Sequence, residues 1–128
     1  MLNQSGISKN TYAASKQILA NVELQSSVGC VVPQSLGVAV GAKKIAKAGT
    51  PIQIDLQNLQ TVAKKADAST AMNAVLLHDV DVTAGNANGT ALMFGFVNVN
   101  RVDADVATAI TTASGAAAKS PMIVFMKA

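Results

Sequence analysis

Tryptophan is absent from this sequence, and cysteine, histidine and arginine each occur once, as Cys30, His78 and Arg101. Each scarcity removes a class of function. A lone cysteine cannot close an internal disulfide, and it cannot supply the thiolates of a Cys-based zinc site. Its neighbours Val28, Val31 and Val32 suit a small buried hydrophobe better than a reactive thiol. Aromatic residues make up only 3% of the chain, and the clustered cations are limited to Lys43, Lys44, Lys47, Lys64 and Lys65. A nucleic-acid binder needs a denser basic stripe, with arginine or stacking aromatics, so no nucleic-acid partner is expected.

Long apolar runs are missing too. Leu24 to Ala42 carries no charge, yet Gln25, Ser26, Ser27, Pro33, Gln34 and Ser35 interrupt it, which excludes a membrane-spanning segment there. The opening "MLNQSGISKN" lacks the basic start and apolar core of a secretory signal. No membrane partner is expected. Charge itself is scarce: 13% of residues, against about 25% in an ordinary soluble domain. Hydrophobic residues reach 50%, mostly Ala and Val. A surface so poor in charge is either clothed in Asn, Gln, Ser and Thr or hidden against another chain, and burial in an assembly is the favoured reading.

A chain of 128 residues suggests one domain, long enough to bury roughly two thirds of its unfolded surface. Residues 1–20 read as an extended N-terminal arm, and 21–128 as a single β-rich domain. "MLNQSGISKNTYAAS" keeps neither a helical nor a strand period, and Leu2, Ile7, Tyr12, Ile18 and Leu19 are too sparse for a core. A disordered tail would contain fewer of them. Such a segment suits ordering upon a partner. In the body, "VELQSSVGCVV" and "LGVAV" are short Val-rich strands bounded by Gly and Pro33. Ala48-Gly49-Thr50-Pro51 is a turn into a strand carrying Ile52, Ile54 and Leu56, with Pro51 at its first position. "LQTVAKKADAST" reads as a short strand, then a polar loop. "NAVLLHDVDV" and "TALMFGFVNVN" are the clearest strands, joined by "TAGNANG". Asp103 reads as the N-cap of one short helix, about 103–113, with Val106 and Ile110 on one face and Gly115 as its stop. "MIVFM" is a final strand whose continuous apolar run implies burial on both faces.

The one cluster that looks chemical is His78, Asp79 and Asp81. Side chains alternate across a strand. If 74–82 is one strand, His78 points with Leu76, Val80 and Val82, while both aspartates point the other way. They cannot meet at one ion or one proton relay unless a bulge falls within 77–81. A calcium site from Asp79, Asp81, Asn86 and Asn88 lacks the bidentate Glu of an EF-hand. No nucleophile elbow accompanies Cys30 or any serine, and "GVAVGAKKIAKAG" does not have the order of a phosphate-binding loop. No catalytic residue, metal or cofactor is expected, and the chain does not read as an enzyme.

The order of elements resembles a known family. A polar arm leads to a body with "IAKAGTPIQID", then "AVLLHDVDVTAGNANGTALMFGFVNVNRVD", the helix "DADVATAITTA" and the closing strand "PMIVFM". This is similar to bacteriophage head decoration proteins of the phage lambda type and to the related small head-fibre proteins. The similarity spans roughly Ile45 to Lys127; Ala74-Val75 stands where the family usually has a glycine before its "LL" strand. The resemblance implies a mainly β, tulip- or barrel-like subunit that trimerises and sits outside the expanded capsid, on the virion surface, at local three-fold positions. There it would clamp the phage major capsid protein. Ile7, Tyr12, Ile18 and Leu19 are the candidate capsid anchors of the arm. The alternatives are the capsid-bound base of a head fibre, a tail adaptor, or a small metal-dependent enzyme or ion-binding module using His78, Asp79 and Asp81.

Overall fold

A computed structural model describes residues 17–67, 69–116 and 122–127. The fold is mainly β. Short Val- and Ala-rich segments give strands β1 (Ser26–Val32), β2 (Val38–Val40), β3 (Lys43–Ala46), β4 (Pro51–Gln53) and β5 (Lys64–Lys65). There follow β6 (Ala74–Leu76), β7 (Val80–Asp81), β8 (Ala87–Asn98), the helix α1 (Ala104–Ala116) and β9 (Ile123–Met126). They form two sheets. The larger runs β1-β8-β6-β4-β5 with antiparallel neighbours, and β9 joins it parallel to β8. The smaller is the antiparallel trio β2-β3-β7. No closed barrel forms among the described residues.

The long strand β8 organises the larger sheet. Its residues 87–94 pair with β1, Ala91 and Leu92 pair with β6, and residues 95–98 pair with β9. β6 is apolar at every position because both its faces are covered. Ala74 and Leu76 point into a core shared with Cys30, Val32, Leu36, Ile52, Ala46, Val80 and Val82, residues drawn from both sheets. Val75 and Leu77 point into a second core with Leu92, Val97 and Ile123. The period-2 alternation of a strand thus assigns consecutive residues to different cores.

Sequence expectation and structure part at several places. Residues 74–82 are not one strand. Val75 and Leu76 pair with β8, whereas Val80 and Asp81 pair with β3 of the other sheet, so the chain changes sheets across 77–79. The Asp79 carboxylate stabilises this corner by accepting the Ala48 N–H at 2.7 Å. Further upstream, 22–25 are not strand; Asn21 caps a tight turn there, accepting from the Glu23 and Leu24 N–H groups. Pro51 does open β4, and Ile52 and Ile54 are buried, but Leu56 is exposed. The helix begins where Asp103 directs it, with the Ala107 N–H donating to the Asp103 carbonyl. Its backbone continues through Gly115 to Ala116, beyond the expected stop.

The N-terminal boundary also moves. Ile18 is fully buried and Leu19 is 5% exposed, both within the second core. The Asn98 N–H donates to the Ile18 carbonyl and the Ala20 N–H to the Phe96 carbonyl, each at 2.8 Å, so 18–20 extend the sheet beside β8. Arg101 reaches the Gln17 carbonyl. Residues 18–20 therefore belong to the body and not to an arm ending at residue 20.

The turn before β4 requires its glycine. Gly49 has φ +93°, and a Cβ there would lie 2.6 Å from Val102 Cγ1 and 3.0 Å from Val106 Cγ1. Only a residue without a side chain lets this turn pass beneath the start of α1.

Candidate functional site

The cluster of His78, Asp79 and Asp81 does not assemble. Asp79 is committed to the Ala48 N–H. Asp81 accepts the Thr83 hydroxyl at 2.6 Å and the Thr83 N–H at 2.9 Å, and lies 3.9 Å from Lys43 Nζ. These bonds, the hydroxyl first, hold the Asp81 carboxyl below its ordinary 3.8. His78 is half-buried, and its Nδ1 is buried without a hydrogen-bond partner. The chain does break within 77–81, the circumstance that would bring the cluster together. The break instead sends both carboxylates to backbone and hydroxyl partners. Among the described residues no group of three or more His, Cys, Asp or Glu side chains converges as a metal site would require.

Cys30 is buried, as its valine neighbours suggest. Burial pushes its thiol up from the ordinary 9.0, which disfavours the thiolate that a nucleophile needs. A cleft of about 260 Å³ between the turn before β4 and α1 is lined by Thr50, Lys65, Lys47 and Asp105, among others. Its Lys47 is neutralised within the chain. Lys47 Nζ lies 3.2 Å from Asp105 and 3.2 Å from Asp103, on a side chain only 18% exposed. Asp105 first, then Asp103, hold the Lys47 ammonium above its ordinary 10.5. The cluster tethers α1 to the sheet and leaves no free base.

The four candidate anchors divide. Ile18 and Leu19 are interior residues, so they are unavailable to a partner without opening the second core. Ile7 and Tyr12 lie outside the described residues.

Sequence reasoning missed a surface. β9 is covered on one face only: Ile123 and Phe125 pack inward, while Val124 is 44% and Met126 38% exposed. In the parallel register Phe96 stands beside Val124, so these two side chains share the outer face. Leu24, 53% exposed, completes it. Leu24, Phe96 and Met126 line one groove of about 310 Å³ with Ala20 and Asn21. The outer edge of β9 pairs with no described strand. A second apolar strip runs along β2, where Val38 and Val40 are exposed at the edge of the smaller sheet. "MIVFM" contained the signal for the first surface, because alternation places Met122, Val124 and Met126 together. A continuous apolar run reads as two covered faces only if something covers the second.

No family model matches the chain, and no curated protein matches it.

Proposed function

We propose that this chain is a bacteriophage capsid decoration protein, a cement subunit that binds the outside of the expanded head and stabilises its lattice. The observation that carries the proposal is a charge-poor β body with more than one uncovered apolar strip, on β8–β9 and on β2. Exposed apolar patches of this kind mark interaction surfaces, and open strand edges call for cover. The order of arm, strands, helix and closing strand supports the family reading. Within that reading the two sheets are the walls of a tulip-like subunit. Three copies would meet at each local three-fold position, bound to the major capsid protein on the virion surface.

The proposed mechanism is linkage. A protein that binds the expanded lattice and not a disrupted one stabilises the former by its binding free energy at every site. Joined copies gain further through their effective concentration. The capsid-binding segment is narrowed to residues 1–16, with Ile7 and Tyr12 as its apolar anchors. It would add a strand to a capsid sheet edge, where main-chain hydrogen bonds supply affinity.

The test is to mix the full chain with undecorated expanded heads and pellet them. Saturable co-sedimentation, lost when Ile7 and Tyr12 are both changed to Ser, is the expected result. A chain that stays in the supernatant over unmodified heads would refute the proposal.

A further inference from the structure

We propose that the outer face of the β8–β9 pair, with Leu24 beside it, is the surface through which copies of this chain join. The inference deepens the cement reading and rests on it for the expectation of a closed homo-oligomer. Its site comes from geometry. Phe96, Val124 and Met126 share one sheet face, Leu24 lines a groove with Phe96 and Met126, and the outer edge of β9 pairs with no described strand.

Charge selects the occupant. Two charged residues adjoin the groove in sequence: Glu23 precedes Leu24, and Lys127 follows Met126. Glu23 is the only glutamate in the chain, and no other acidic residue occurs before Asp55. Both side chains are exposed, and neither enters an ion pair among the described residues. An apolar strip bearing one acid and one base is complementary to another copy of itself. In a closed ring each copy can set its Glu23 against the Lys127 of the next, so that every copy uses each charge once and the ring ends with none unmatched. A partner of uniform charge would match one of them and repel the other.

The cover supplied by a second copy also fits the backbone. A strand or turn laid along β9 would satisfy N–H and C=O groups that now face outward. The β2 strip has a different character. Lys43, which follows it, already faces the exposed Asp81 carboxylate at 3.9 Å, so its charge is matched within the chain and does not select a second copy.

The experiment measures the mass of the full chain in solution by sedimentation equilibrium at several concentrations. It is repeated with Val124→Asp, Met126→Lys, Glu23→Lys, Lys127→Glu and the double reversal. The wild type is expected to be oligomeric. Val124→Asp and Met126→Lys should be monomeric, with far-ultraviolet dichroism and cooperative melting retained because both side chains are substantially exposed. Each single reversal should weaken association by about two- to fivefold, and the double reversal should recover most of that loss. A monomeric wild type would overturn the proposal, as would folded Val124→Asp and Met126→Lys variants of undiminished mass. Failure of the double reversal to recover the loss would refute the Glu23–Lys127 contact and with it the choice of a second copy as occupant. The cement reading is read out separately. An oligomer joined through this face that ignores expanded heads would sink that reading alone. Head-binding chains that oligomerise through another face would sink only the inference.

Discussion

Ile18 shows how a single apolar side chain can change its meaning with its neighbours. In sequence it stands among polar residues, and in space it fills the second core beside Val75, Leu92 and Val97. Fully burying a side chain of this size stabilises a fold by about 1.5–3 kcal/mol, and truncating it also leaves a cavity. Ile18→Ala is therefore expected to cost about 2–5 kcal/mol, measured by chemical unfolding. Ile7→Ala and Tyr12→Ala should leave unfolding unchanged and weaken head binding instead. Equal stability losses from all three would place Ile7 and Tyr12 in the core as well. The residue-level signal for Ile18 was too thin to read, because one rung of pairing on either side of Leu19, through Ile18 and Ala20, decides its burial. Cys30, Ile52 and Ile54 were legible, since each sits inside a run with its own period or an apolar neighbourhood.

At the scale of elements, the corner between β6 and β7 has the strongest physical consequence. Thr83 secures the strand that leaves it. Its hydroxyl donates to Asp81 and accepts the Lys44 N–H at 2.8 Å, tying the end of β7 to β3. The Asp81 carboxyl is lowered from its ordinary 3.8, and so is that of Asp67, which accepts from Ser69 and Thr70. A carboxyl with a depressed folded pKa contributes stability that is present above its unfolded value, near 3.9, and is lost as pH falls through the folded value. The melting temperature should therefore fall below about pH 4 for this reason. Asp81→Asn should be less stable at pH 7 and lose less on acidification from pH 4 to pH 2. An unchanged acid slope in that variant would remove Asp81 from the account. The strands β1, β4 and β8 and the helix were readable from β-branched runs, Pro51 and Asp103. The corner was not. Apolar residues occur on both sides of it with unbroken parity, since Leu76, Val80 and Val82 all enter the same core. Periodicity cannot reveal that the strand has passed from one sheet to the other. The same limit hid the outer face of β9, where the pattern fixes two faces but not what lies against them.

For the whole molecule, composition said more than any motif. A chain with 13% charged residues and a sizeable uncovered apolar face has a surface better suited to contact than to solvent. The carboxylates that resembled a site hold a corner and a turn, and Lys47 anchors the helix. Asp79, Asp81 and Lys47 are thus engaged in the fold, and the exposed features among the described residues include strand edges and apolar strips. Cementing a capsid requires those features, because binding that favours one lattice state needs contact area and repeated sites but no reaction. The proposed cement role requires that binding stabilise expanded heads. Its most direct test is the temperature at which undecorated expanded heads break, measured against increasing concentrations of the full chain. Linkage predicts that the breaking temperature rises with the logarithm of free protein once sites begin to fill, and levels only where the bound state itself fails. A breaking temperature that stays constant while the protein is present in large excess would contradict the account.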